Sequence, residues 1–238
     1  MEFTIDFAAV RKITSQELAQ ARTEILKLGV VAAYQRSRDR HDARLAAAPD
    51  APTLACKAGC SWCCHFSVDV RPVEVFSILE FIERSLSAQE QQRVTKEIEA
   101  NSALLMNLTD LERVQRNLKC PFLNESRSTI YAARPQTCRN YHATSVTGCQ
   151  QSFEEPDNLD IDPDFAPLVY QAGGAHVDAF SKAMGDLGYD VAAYELNTAL
   201  AAAMQDSAAA RQRFESREQP SFGLDGMDVP LEFMELDE

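Results

Sequence analysis

Four cysteines fall within nine residues, Cys56-Lys57-Ala58-Gly59-Cys60-Ser61-Trp62-Cys63-Cys64. No other stretch limits the chain's possible folds so strongly. The remaining three, Cys120, Cys138 and Cys149, are widely spaced. A single cysteine is commonly a small buried hydrophobe, but four this close read as ligands. Thiolates are soft donors that select zinc, cuprous copper or iron–sulfur clusters. At 3.6 residues per helical turn, Cys56, Cys60 and Cys63 would share one face and Cys64 would point well away. In a loop, neighbouring thiols also diverge. Cys63 and Cys64 are therefore expected to play different parts. Gly59 suits a tight bend between them and Cys56.

With 238 residues the chain can bury a core without disulfide staples. An odd number of cysteines also fits poorly with complete pairing. The opening Met1-Glu2-Phe3-Thr4-Ile5-Asp6-Phe7 lacks the basic and apolar regions of a signal peptide. No stretch is apolar for long enough to span a bilayer. These features predict a cytoplasmic protein with reduced thiols. A formal net charge of −13 disfavours general nucleic-acid binding. Arg36, Arg38, Arg40 and Arg44, with His41 among them, read as a solvated helix face rather than a basic patch.

The pattern is mainly helical. Thr14 and Glu17 form a capping box, with Ile13 and Leu18 as a hydrophobic staple. They predict one helix running through the arginine segment and stopping before Pro49. Phe66–Val70 alternates like a short strand, and Pro72 opens a well-buried helix. Ser87 with Glu90 and Thr109 with Glu112 predict helices to about Met106 and Asn117. Lys119–Cys149 reads as irregular. The carboxylates between Gln151 and Ala175 read as an acidic surface loop, since they lack calcium-loop spacing. Asp162-Pro163 then starts a helix that Gly188 ends. Asp190 caps the next, which should continue to Phe214. The acidic tail to Glu238 reads as loosely ordered. Its Phe222, Leu224, Val229, Leu231, Phe233 and Met234 could dock on the domain or on a protein partner.

The cysteine spacing, followed by Cys120-Pro121-Phe122-Leu123 and by Ile130-Tyr131-Ala132-Ala133-Arg134-Pro135-Gln136-Thr137-Cys138-Arg139-Asn140-Tyr141, resembles the bacterial CxxCxxCC, or YkgJ-like, family of zinc- or iron-chelating domains. The resemblance covers about Cys56 to Cys149. Flagellin lysine N-methylases carry a similar cluster. The resemblance implies a cysteine-bound zinc or iron, with an iron–sulfur cluster as one form the iron could take. By position, Cys56, Cys60, Cys63, Cys64, Cys120 and Cys138 match the family's cysteines. Ser128 stands where members commonly carry another, and Cys149 is the residue that could compensate.

Around such a centre, Ile130 and Tyr131 are expected beneath the cysteine loops and Trp62 as a shield against water. Arg139 either offsets a thiolate charge or makes an ordinary ion pair. His65 and His142 lie near cysteines in sequence and are weaker ligand candidates; His176 reads as a core residue. Gly173-Gly174 lacks the context of a phosphate-binding loop.

Together these readings predict a mainly α-helical single domain wrapped around an irregular, cysteine-rich metal-binding centre. Its expected parts are an N-terminal helical segment (1–50), the cysteine-cluster region (51–150), C-terminal helices (151–216) and the acidic tail (217–238). The metal set comprises all seven cysteines. The predicted function is metal binding. The alternatives are an iron–sulfur redox or accessory component of a protein-modifying enzyme such as a lysine N-methylase, and a metal-free thiol redox switch. No catalytic residue or substrate is legible.

Overall fold

The computed structural model describes residues 4–236. It is mainly helical, with ten α-helices and two two-stranded sheets among the described residues. Met1–Phe3, at the expected leaderless start, and Asp237 and Glu238, at the end of the acidic tail, lie outside the described residues.

Two helices replace the single N-terminal helix expected. Helix α1 spans Phe7–Leu28 and α2 spans Val30–Ala47. Gly29, at φ +83°, reverses the chain between them, a conformation that side chains resist. Asp6 caps α1 by accepting from the Ala9 N–H at 2.9 Å, so Thr14 lies mid-helix. The turn at Gly29 lays α2 back along α1 and frees Glu17 from any capping role. Glu17 is fully buried and accepts hydrogen bonds from Arg40 at 2.7 Å and Arg44 at 2.8 Å. The arginine segment is thus only partly a solvated face: Arg36 is exposed, but Arg40 and Arg44 turn inward and His41 is buried.

Pro72 opens α3 (Pro72–Ser85), as expected, and Ser87 caps α4 (Ala88–Leu105). The Thr109–Glu112 capping box starts the short α5 (Asp110–Val114). The predicted strand is reduced to β1 (Asp69–Val70), which pairs antiparallel with β4 (Tyr194–Glu195). The irregular stretch contains elements of its own. A hairpin pairs β2 (Leu123–Asn124) with β3 (Arg127–Ser128), and two short helices follow, α6 (Gln136–Asn140) and α7 (Val146–Glu154). The acidic residues after α7 are largely exposed, as a surface loop should be.

Helix α8 (Pro167–Asp186) begins later than Asp162-Pro163 implies. Its first free amides, on Leu168 and Val169, donate at 2.7 and 3.0 Å to the carboxylate of Asp50. A distant residue thus supplies the cap. Likewise Glu195, not Asp190, caps α9 (Leu196–Gln205). Asp190 instead accepts from the Tyr194 hydroxyl and the Ser221 N–H. Asp206 interrupts the alanine-rich stretch and caps α10 (Ser207–Glu215).

Alanines let α1, α2 and α8 approach closely: Ala21, Ala33, Ala175, Ala179 and Ala183 are all fully buried. One apolar core runs from these helices to Phe76, Leu200 and Phe214, and includes Phe122 and Ile130 from the cysteine region. The tail is anchored on the chain itself. Phe222 is buried, and the Phe233 ring lies against Gly174, where an added Cβ would meet it at 2.2 Å. That closeness accounts for Gly174.

Candidate metal centre

Three separate backbone devices converge on the cysteine region. Between Cys56 and Cys64 the chain is not an α-helix. Lys57 and Cys60 close a turn with Gly59 at φ +91°, and Trp62–His65 form one 3-10 turn. The segment before Cys120 then runs beside it: Leu118 N–H donates to the His65 carbonyl and Cys120 N–H to the Cys64 carbonyl, both at 2.8 Å. Cys138 is carried by α6, whose start is fixed by the buried carboxylate of Glu74. One oxygen of Glu74 accepts from Arg71 N–H at 2.7 Å and the other from Gln136 N–H at 2.8 Å. Thus one side chain orients both α3 and α6.

Cys60, Cys63, Cys64, Cys120 and Cys138 line one cavity of about 420 Å³. The expected divergence of Cys63 and Cys64 does not occur at this level, because the 3-10 turn brings both to the same wall. The neighbouring Cys64 thiol, ahead of burial, raises the pKa of Cys63. Burial pushes Cys120 up to about 11 and raises Cys138 further, with neighbouring thiolates adding to both. All seven cysteines are free.

Cys56 and Cys149 stand outside the cavity wall. The Cys56 sulfur accepts from Ala143 N–H at 3.4 Å. Cys149 is buried on α7, with its pKa pushed to about 11 by burial and then by Cys56, Cys63 and Cys60. Ser128, by contrast, lines the cavity, and Cys149 does not.

The neighbouring residues correct several expectations. Arg139 is 3 % exposed and donates to the carbonyls of Arg134 and Ala132 and to Asp42. It clamps the chain and forms an ion pair. Arg134, by contrast, is on the cavity wall, and its charge opposes the rise in the pKa of Cys63 and Cys138. Ile130 is buried as expected, but Tyr131 is exposed, with the Arg134 guanidinium 4.2 Å above its ring. Trp62 and His65 pack on Phe153 of α7 and are not on the cavity wall. His142 is also off the wall. Burial, with Arg134 nearby, lowers its pKa to about 4. His176 is a core residue, as expected, at 0 % exposure.

The sequence reading missed the hairpin. Its turn residues Glu125 and Ser126 both have positive φ, at 47° and 60°. This suits a two-residue turn, for which glycine or asparagine is the usual signal. That signal is absent here, so Arg127 and Ser128 could not be placed at the cavity from sequence.

Residues 55–160 match the family model CxxCxxCC, whose description reads "putative zinc- or iron-chelating domain". No curated protein and no solved structure matches the chain. The matched segment contributes the cysteines, the hairpin, α6 and α7, while α8 and β4 close it from outside the match. Its donor chemistry suits a soft or borderline metal: the cavity wall carries five thiols and no carboxylate. Among the described residues, no three His, Cys, Asp or Glu side chains are already set to hold one ion. Also among them, no helix is long and apolar enough to cross a membrane.

Proposed function

We propose that this protein binds zinc or iron through thiolates drawn from Cys60, Cys63, Cys64, Cys120 and Cys138. Cys56 and Cys149 form an outer pair available to a second ion. The observation carrying this reading is the convergence of Cys60, Cys63, Cys64, Cys120 and Cys138 on one cavity within a segment that matches the model of a chelating family. Buried thiols with raised pKa are neutral and inert without metal; a metal displaces their protons and joins the three segments. Arg134 offsets part of the resulting negative charge. Bound zinc would supply folding energy, and bound iron a redox couple.

An iron–sulfur cluster, in a redox or accessory role beside a protein-modifying enzyme such as a lysine N-methylase, is the second reading. Five thiols exceed the four that one zinc takes, which favours a polynuclear centre. The metal-free redox switch fits less well, because redox-active thiols have lowered pKa values. Free thiols are at home in the reducing cytoplasm.

Anaerobic purification with elemental analysis and visible absorption tests these readings. Stoichiometric zinc in a colourless protein selects the first, and broad visible absorption with iron and sulfide selects the second. Cys120→Ser and Cys138→Ser should each release metal and lower the melting temperature. Cys149→Ser should leave the cavity-bound metal in place. Full metal content in both cavity variants would end the proposal.

A further inference from the structure

The cavity beside the thiols is larger than an ion requires. At about 420 Å³ it falls within the size range of small-molecule pockets. Most of its wall is apolar, built by Phe66, Val68, Phe122, Ile130, Tyr141 and Leu196. In a chain with net charge −13, the wall carries three cations, Lys57, Arg127 and Arg134, and no Asp or Glu. Arg134 is the innermost in character: it is half-buried, held over Tyr131, and its Nε is buried with no hydrogen-bond partner. Ser67, also on the wall, has a buried hydroxyl with no partner. A buried donor without an acceptor is costly, and a guanidinium fork matches a planar carboxylate.

We propose that the cavity binds a small organic carboxylate with an apolar body, its carboxylate on Arg134 and its body against the aromatic and aliphatic wall. Arg127 and Lys57, at the exposed turns, draw the anion in. A monoanion suits the place better than a phosphate dianion, because the thiolates of the proposed metal centre on the same wall would repel the second charge. The ligand so placed lies against Cys63, Cys120 and Cys138, which makes it a candidate substrate or effector of the proposed centre. The assignment goes beyond metal binding and rests on the cavity's own shape and charge.

Isothermal titration calorimetry on the full chain as purified, with metal content measured on the same sample, provides the test. The probes are 3-phenylpropionate, its neutral amide, acetate and phenyl phosphate. The acid should bind about tenfold to a hundredfold more tightly than the amide, the range expected for a charge-assisted contact. Acetate, lacking the body, should give no measurable binding at the same concentration. Arg134→Gln should bring the acid down to the affinity of the amide and leave the amide's affinity unchanged. Should that variant fail to fold, Arg134→Lys replaces it, with a several-fold loss expected for the acid alone.

Equal binding of acid and amide, no binding of the acid at millimolar concentration, or an unchanged affinity in the Arg134 variant would overturn the proposal. Phenyl phosphate binding as tightly as the acid would overturn the carboxylate assignment. The two readings fail separately. Acid binding by a protein that holds no metal sinks the metal centre alone, and a metal-replete protein indifferent to the acid sinks this inference alone.

Discussion

Between α1, α2 and α8, buried charge is answered group by group; around the cysteine cavity it is not. Glu17 meets Arg40 and Arg44 directly, and its Oε1 accepts from the Ser37 hydroxyl at 2.7 Å. Arg44 can only donate, so its contact with His176 Nδ1 makes that nitrogen the acceptor. His176 Nε2 then carries the proton and donates to Ser37 at 2.8 Å. Burial, with the neighbouring cations, lowers the pKa of His176, in keeping with this neutral tautomer. The cavity wall carries Lys57, Arg127 and Arg134 but, among the described residues, no carboxylate, and burial raises the pKa of Cys120 and Cys138. The contrast separates two uses of polar residues. A satisfied network fixes how helices pack, whereas unanswered donors beside a cavity mark where something from outside completes the set.

The most disruptive test of this contrast removes the centre of the paired network. Glu17→Ala takes the carboxylate from Arg44 and leaves Arg40 with Glu24 alone, and it should cost about 3–5 kcal/mol, the range for a broken buried pair. Chemical denaturation measures it, while metal bound per folded molecule should not change. A loss of metal without a loss of stability would show that the two regions are not separate.

A smaller effect is expected where the two regions touch. Arg139 joins α6 to Asp42 of α2, and Arg139→Gln removes that ion pair and disturbs two carbonyl contacts. The expected loss is about 2–4 kcal/mol, from unpairing buried polar groups. Unlike Glu17→Ala, it should also weaken metal retention in dialysis, because Cys138 sits on the loosened helix.

Further from both regions, Gly174→Ala would drive a Cβ into the Phe233 ring. Overpacking of this kind costs about 1–3 kcal/mol. Limited proteolysis should then cut the tail sooner, with the metal unaffected.

The mildest prediction concerns pH at the same latch. Asp178 accepts the Phe233 N–H at 2.9 Å, yet burial raises its pKa to about 6, with Glu232 and Glu235 contributing. A carboxyl raised on folding favours the folded state while protonated. Its contribution is full below its ordinary pKa of about 4 and is lost as pH rises through about 6. The tail should therefore be cut faster at pH 8 than at pH 5 relative to an unfolded control peptide, and Asp178→Asn should flatten the difference.

Legibility in the sequence followed the range of the interaction. The capping residues Ser87 and Thr109 were readable because a cap and its amide are three residues apart. Pro72 opened its helix for an equally local reason. Thr14 misled because the same short pattern can sit inside a helix whose true cap, Asp6, lies a turn or two earlier. The caps of α8 and α6 were hidden, since Asp50 is more than a hundred residues from Leu168 and Glu74 is 62 residues from Gln136. Of the candidate site, the cysteines were legible as a group. Arg134 was not: its neighbour Arg139 has the same chemistry, and only the course of α6 decides which one faces the cavity.

The sequence alone determined that this chain is helical, acidic and thiol-rich, and that its segment from about Cys56 to Cys149 resembles the CxxCxxCC family, because composition, local caps and cysteine spacing act over a few residues at a time. Tertiary structure alone decided which thiols share a wall, that Ser128 and not Cys149 is on it, and that among the described residues this wall carries cations and no carboxylate. Those outcomes depend on backbone pairing at Cys64–Cys120 and on the burial of Glu74, contacts between residues that no short stretch of sequence contains together.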